Sequence, residues 1–200
     1  MEKKIQATGQ LFYFNLGGGW SADIDKAVVT FNSLGFPVRY VLAKEKKNAN
    51  VVIKLAVGSD SETFDGSTLS TNANFDPALL HGDTKTLTEV NDRAKTAEMI
   101  FAVTFLPGKA KATKGQKEAI IVHELIHACG LDGGKPDGTK NKDQDHDSEG
   151  ILFAIMNTTA DGLIEATAPA GVKPMPPIRV GGQTRCKIQM IWGTEACKKD

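Results

Sequence analysis

Apolar positions along the first part of the chain change period twice. The run Leu11-Phe-Tyr-Phe14, closed by the turn Gly17-Gly-Gly19, predicts a strand. From Trp20 the period lengthens: Ser21 can cap, and Ile24, Ala27, Val28, Phe31 and Leu34 recur at helical spacing as far as Gly35, which predicts a helix. After Pro37, Val38-Arg-Tyr-Val-Leu42 returns to strand character, and the charged stretch from Lys44 to Asn48 turns the chain. Val51 to Val57 is almost continuously apolar, as expected of a strand covered on both faces. Residues 58–80, rich in Ser, Thr, Asp, Asn and Gly, are expected to form an irregular surface loop. Lys85 to Val90 alternates weakly, like an exposed edge strand, and Met99 to Leu106 predicts a stronger strand stopped by Pro107-Gly108.

A second helical pattern begins at Thr113. Thr113-Lys-Gly-Gln116 has the form of a capping box, in which the Thr side chain accepts from the backbone three residues on while Gln reaches back. Ile120, Ile121, Leu125, Ile126 and Cys129 supply apolar surface, and Gly130 suits the left-handed conformation that stops a helix, so the end is expected three residues after His127. Within this helix stands His123-Glu124-x-x-His127. Imidazoles four residues apart lie one above the other on a single helical face. Neutral imidazole nitrogens bind Zn²⁺ at about 2.0 to 2.1 Å, and a helix presents two of them without ordering a loop around the metal. Glu124 directly follows the first histidine, so its carboxylate is set to reach a metal-bound water from the side instead of competing for the metal.

Composition narrows the setting. The 200 residues, 40% of them hydrophobic, suffice for one domain with a sizeable core and are too few for two comfortable ones. Basic and acidic residues number 24 each, and a net charge of zero gives no long-range field to hold nucleic acid or an anionic membrane. No apolar run approaches the length needed to span a bilayer. Met1 to Gln10 carries charge without a following signal-type apolar stretch, so the chain reads as cytoplasmic, as freed of a leader, or as exported by another route. A monomer is expected. The three cysteines, Cys129, Cys186 and Cys197, leave an odd one under any pairing, and Cys129, two positions past His127 on a different face, reads as a small buried apolar residue. His81 reads as a loop residue. Asn141-Lys-Asp143-Gln-Asp145 alternates oxygen ligands in a way that suggests Ca²⁺, without the Gly and closing Glu of an EF-hand.

The stretch His123-Glu-Leu-Ile-His127-Ala-Cys-Gly130-Leu131 resembles the start of the zinc signature of the metzincin metallopeptidases, HExxHxxG, and its Gly-Leu ending is most similar to the matrixin branch. Members carry a third His shortly after that Gly; the matching position here is Gly133, which cannot bind zinc. The resemblance implies a ligand delayed by a polar insertion, Asp132 to Asp145, in which Gly133, Gly134, Pro136 and Gly138 read as a loop. His146 is then the expected third ligand, ahead of Asp132, Asp143, Asp145 and Asp147. A methionine in a tight turn under the zinc is also implied: Met156 follows His146 closely, and Met175 competes with it. Neither is followed two residues later by Tyr, since those positions hold Thr158 and Pro177, a departure from the astacin and serralysin branches. Gln183 to Gly193 resembles the C-terminal helix of a matrixin catalytic domain, and Trp20 ahead of the first helix fits the same likeness. Thr158 to Pro177 would build the wall of the specificity pocket. The strand near Thr84 to Val90 would pair with an extended substrate, unless it is an ordinary exposed edge.

The fold so implied is α+β, a metzincin-like twisted mixed sheet with an N-terminal helix, a zinc-binding active-site helix and a C-terminal helix. It forms a single catalytic domain over 1–200, with the sheet and active-site helix in 1–130 and the Met-turn and C-terminal helix in 131–200. The implied activity is zinc-dependent endopeptidase action on proteins or peptides. His123, His127 and His146 hold Zn²⁺ with one position open for water, and Glu124 serves as general base before returning the proton to the leaving amine. The alternative is a non-catalytic zinc-stabilised binding module of the same fold, for which Gly133 argues.

Overall fold

The computed structural model of the chain describes residues 1–91, 96–131, 178, 180 and 182–193. They form a mixed α+β fold around a mostly parallel five-stranded sheet. Its strands are β1 (Gln10–Leu16), β2 (Arg39–Leu42), β3 (Val51–Ala56), β6 (Asp83–Asn91) and β7 (Thr96–Pro107), in the order β2-β1-β3-β7-β6. Strands β1, β2, β3 and β7 run parallel, and β6 closes one edge antiparallel to β7. A parallel neighbour requires a crossover, and α2 (Ser21–Ser33) supplies the one between β1 and β2. Among the described residues no helix is long and apolar enough to cross a membrane.

The continuous apolar run of β3 is explained by burial on both sides. Val51 and Ile53 face the larger core, with Ile24, Ala27, Val28 and Phe31 of α2 and Ile121, Val122 and Leu125 of α3 (Lys114–Ala128). Val52 and Ala56 face a second, smaller core with Phe101, Val103 and Phe105 of β7. Successive side chains of a strand point to opposite faces, so alternate residues of the run serve the two cores, which is why the run is apolar almost throughout.

The second core corrects one expectation. Residues 58–80 are not wholly irregular: β4 (Ser61–Phe64) and β5 (Ser67–Ser70) form an antiparallel hairpin. Phe64 stacks on Phe101 with ring centroids 4.3 Å apart, and Leu69 and Phe75 pack on the same cluster. The buried Glu62 takes Lys46 at 2.5 Å, and Lys54 of β3 binds Asp60 at 3.0 Å, tying the hairpin to the sheet. The polar composition had hidden three aromatic or aliphatic contacts that matter only because the sheet offers a second apolar face. Phe101→Ala should therefore cost about 3–5 kcal/mol of stability, read as a lower urea midpoint at unchanged slope.

The helices follow the predicted pattern with two differences. A six-residue α1 (Lys3–Thr8) precedes β1 where no helix was expected, ended by Gly9 at φ 61. Its Gln6 donates from Nε2 to the carbonyl of Ile191 at 2.6 Å, on the last turn of α4 (Gly182–Ile191), a contact no local pattern can announce. The capping box of α3 is present, with Thr113 accepting from the Gln116 amide at 3.3 Å and Gln116 Oε1 accepting from the Thr113 amide at 2.7 Å. The helix ends at Ala128, earlier than expected, because Cys129 already leaves helical geometry; Gly130 takes the left-handed conformation at φ 102.

Candidate metal centre

Helix α3 lies beneath the sheet with nearly all its residues from Ala119 to Ala128 buried, His123 and Glu124 included. Tyr40 of β2 donates its hydroxyl to the Leu125 carbonyl at 2.6 Å, fastening the helix to the sheet midway along the motif. At the far end Trp192 Nε1 donates to the Cys129 carbonyl at 3.0 Å. A Cβ on Gly130 would come within 3.1 Å of Ile191, so the turn after the motif is packed against the end of α4. The helix that carries the histidines is thus held at its middle by a strand and at its end by another helix.

The two imidazoles converge as their four-residue spacing predicts. His123 Nε2 and His127 Nε2 stand 3.1 Å apart, with the rings at 75°. Two nitrogens each about 2.05 Å from a tetrahedral metal are roughly 3.3 Å apart, so the pair fits a shared zinc ion. Two ring lone pairs repel at such a distance, and something electrophilic, a proton or a metal ion, must hold them together. The second nitrogen of His127 sets its tautomer. Nδ1 lies 2.7 Å from the Leu131 carbonyl, which only accepts, so Nδ1 carries the proton and Nε2 presents a lone pair. The turn at Gly130 is what brings that carbonyl back over the ring.

Glu124 sits beside the pair. Its Oε1 is 4.0 Å from His123 Nε2, and its Oε2 accepts a hydrogen bond from the Thr84 hydroxyl of β6 at 2.6 Å. The side chain is 3% exposed, and burial pushes its carboxyl above the ordinary carboxylate range. Nearby His127, the Thr84 hydrogen bond and His81 act in the opposite direction, while Asp83 adds to the rise. A carboxyl so placed binds a proton more readily than one in water, which suits it to accept one.

The other sequence expectations divide by location. His81 does lie in the loop before β6, with its ring edge-on to Phe75 at 6.3 Å. Cys129 is a buried free thiol, pushed up to about 12 by that burial and donating to the Ile126 carbonyl at 3.0 Å. Cys186 is disulfide-bonded, and Cys197 lies outside the described residues. His146, Asp132, Asp143, Asp145 and Asp147, both turn methionines Met156 and Met175, the calcium-type run from Asn141 and the pocket wall 158–177 also fall outside them. Among the described residues no group of three or more His, Cys, Asp or Glu is arranged to hold a metal ion.

Two residues against the motif were not read from the sequence as part of it. Thr84 bonds Glu124, and Gly82 lies under its carboxyl: a Cβ there would come within 2.6 Å of Glu124 Cγ. Positions 82 and 84 share a face by the two-residue period of extended chain, which was legible. That this face meets α3 was not. Compared with known proteins, the chain matches no protein-family model and no curated protein.

Proposed function

We propose that the protein is a zinc-dependent endopeptidase of metzincin type, closest in pattern to the matrixins. The observation that carries this reading is the meeting of His123 and His127 nitrogens at 3.1 Å with a buried carboxylate, Glu124, 4.0 Å from one of them. The mixed sheet and its antiparallel edge strand β6 beside the helix support it. His123 and His127 would hold zinc, with His146 as the third ligand. Bound zinc supplies a Lewis acid that polarises the scissile carbonyl and makes water acidic enough to attack near neutral pH.

The chain's own residues do the rest. The Leu131 carbonyl keeps the proton of His127 on Nδ1, leaving Nε2 to serve as the ligand atom. Glu124 takes a proton from the attacking water through Oε1, the oxygen that does not face Thr84, and returns it to the leaving amine. Among the described residues β6 has β7 as its ladder partner and stands at the end of the sheet, so an extended peptide could add along its other edge by main-chain hydrogen bonds.

The test joins metal content to turnover. Purified protein should contain one zinc per chain and cleave a broad peptide library, with cleavage abolished by 1,10-phenanthroline and restored by added zinc. Stoichiometric zinc without chelator-sensitive cleavage would replace this reading with the non-catalytic zinc module. Absence of zinc after supplementation would remove both.

A further inference from the structure

We propose that Thr84 is a positioning residue for Glu124, and that it determines which carboxylate oxygen acts as the base. The inference rests on the peptidase reading and extends it to a strand outside the zinc motif. Thr84 has one hydroxyl proton and three oxygen neighbours: Glu124 Oε2 at 2.6 Å, Thr104 Oγ1 at 2.9 Å and the Glu124 carbonyl at 3.4 Å. The short contact to a carboxylate is the strongest claim on that proton, so Thr84 donates to Glu124 and accepts from Thr104. Thr84 and Thr104 are register partners across the β6–β7 ladder, which places their hydroxyls side by side by the pairing of the strands alone.

Thr104 is fully buried and Glu124 nearly so, so the two ends of the chain Thr104 to Thr84 to Glu124 are shielded from competing water while Thr84 between them is half-buried, and each bond strengthens the next. Gly82 completes the fit from the same face of the strand. A Cβ there would stand 2.6 Å from Glu124 Cγ, 2.8 Å from Cδ and 3.0 Å from Oε1, so only glycine lets the strand approach this closely. Oε2 is thereby occupied, and Oε1, 4.0 Å from His123 Nε2, is the atom left to take the proton. The strand proposed to carry substrate also holds the base, which places the peptide and the carboxylate in one frame.

The experiment compares Thr84→Val, which keeps shape and loses the donor, with Thr84→Ser, which keeps the donor. Thr84→Val should lower kcat about tenfold to a hundredfold at unchanged KM and unchanged zinc content, and Thr84→Ser should restore kcat to within about threefold of the parent. Wild-type kcat in Thr84→Val, or no recovery in Thr84→Ser, would overturn the proposal. A second readout needs no turnover: thermal melts of zinc-free protein in a double-mutant cycle with Glu124→Ala. The Tm loss caused by Thr84→Val should shrink once Glu124 is gone; an equal loss in both backgrounds would overturn the contact. Failure of the parent protein to cleave would sink the peptidase reading alone, because the cycle still reports whether Thr84 holds Glu124.

Discussion

Glu124→Gln should retain its zinc and lose about a hundredfold to ten-thousandfold in kcat, the range that a positioned general base contributes. The amide occupies the same volume, and its carbonyl oxygen can still accept from Thr84, so the hydrogen bond at 2.6 Å need not be broken. What disappears is the capacity to take a proton. The variant should fold at least as well as the parent, because a side chain 3% exposed is freed of the cost of a buried charge. Zinc stoichiometry, Tm and peptide turnover measured on one preparation separate these effects. Unchanged turnover would end the assignment of Glu124 as the base.

The second large effect is on the metal. His123→Ala and His127→Ala should each abolish stoichiometric zinc, weakening affinity by more than the 10–100-fold that loss of an outer hydrogen-bond partner costs a metal site. The two are expected to differ in stability. His127 also bonds the Leu131 carbonyl at 2.7 Å and so holds the turn after Gly130, whereas His123 has its Nε2 against His127 and Glu124. His127→Ala should therefore lower the Tm of zinc-free protein more than His123→Ala. Competition against a chromophoric chelator reads the affinity, and parental affinity in either variant would remove that histidine from the ligand set.

Local signals were reliable where the physics is local. The capping box at Thr113 and Gln116 needs only three residues, and it starts α3 at Lys114 as predicted. Helical spacing from Ser21 to Leu34 yields α2, and the apolar run at Val51 yields a strand buried on both faces. The imidazoles of His123 and His127 meet because the pitch of a helix brings positions four apart together. The failures share one cause. Residues 61–70 look polar, yet they pair because Phe64 finds Phe101 on a distant strand. Residues 3–8 form a helix whose Gln6 is held by Ile191 from nearly the other end of the chain.

The sequence by itself determined the strands and helices that repeat a short period, the place where the motif helix begins, and the pairing of two ring nitrogens on one of its faces. Only the tertiary structure decided that β6 lies against that helix, that Gly82 makes room for Glu124, and that the Thr84 hydroxyl bonds both Glu124 and Thr104. The first set follows from hydrogen bonds and side-chain directions within a few residues. The second depends on strand register and on the packing of a sheet edge against a helix forty residues further along, a distance over which no residue pattern records its partner.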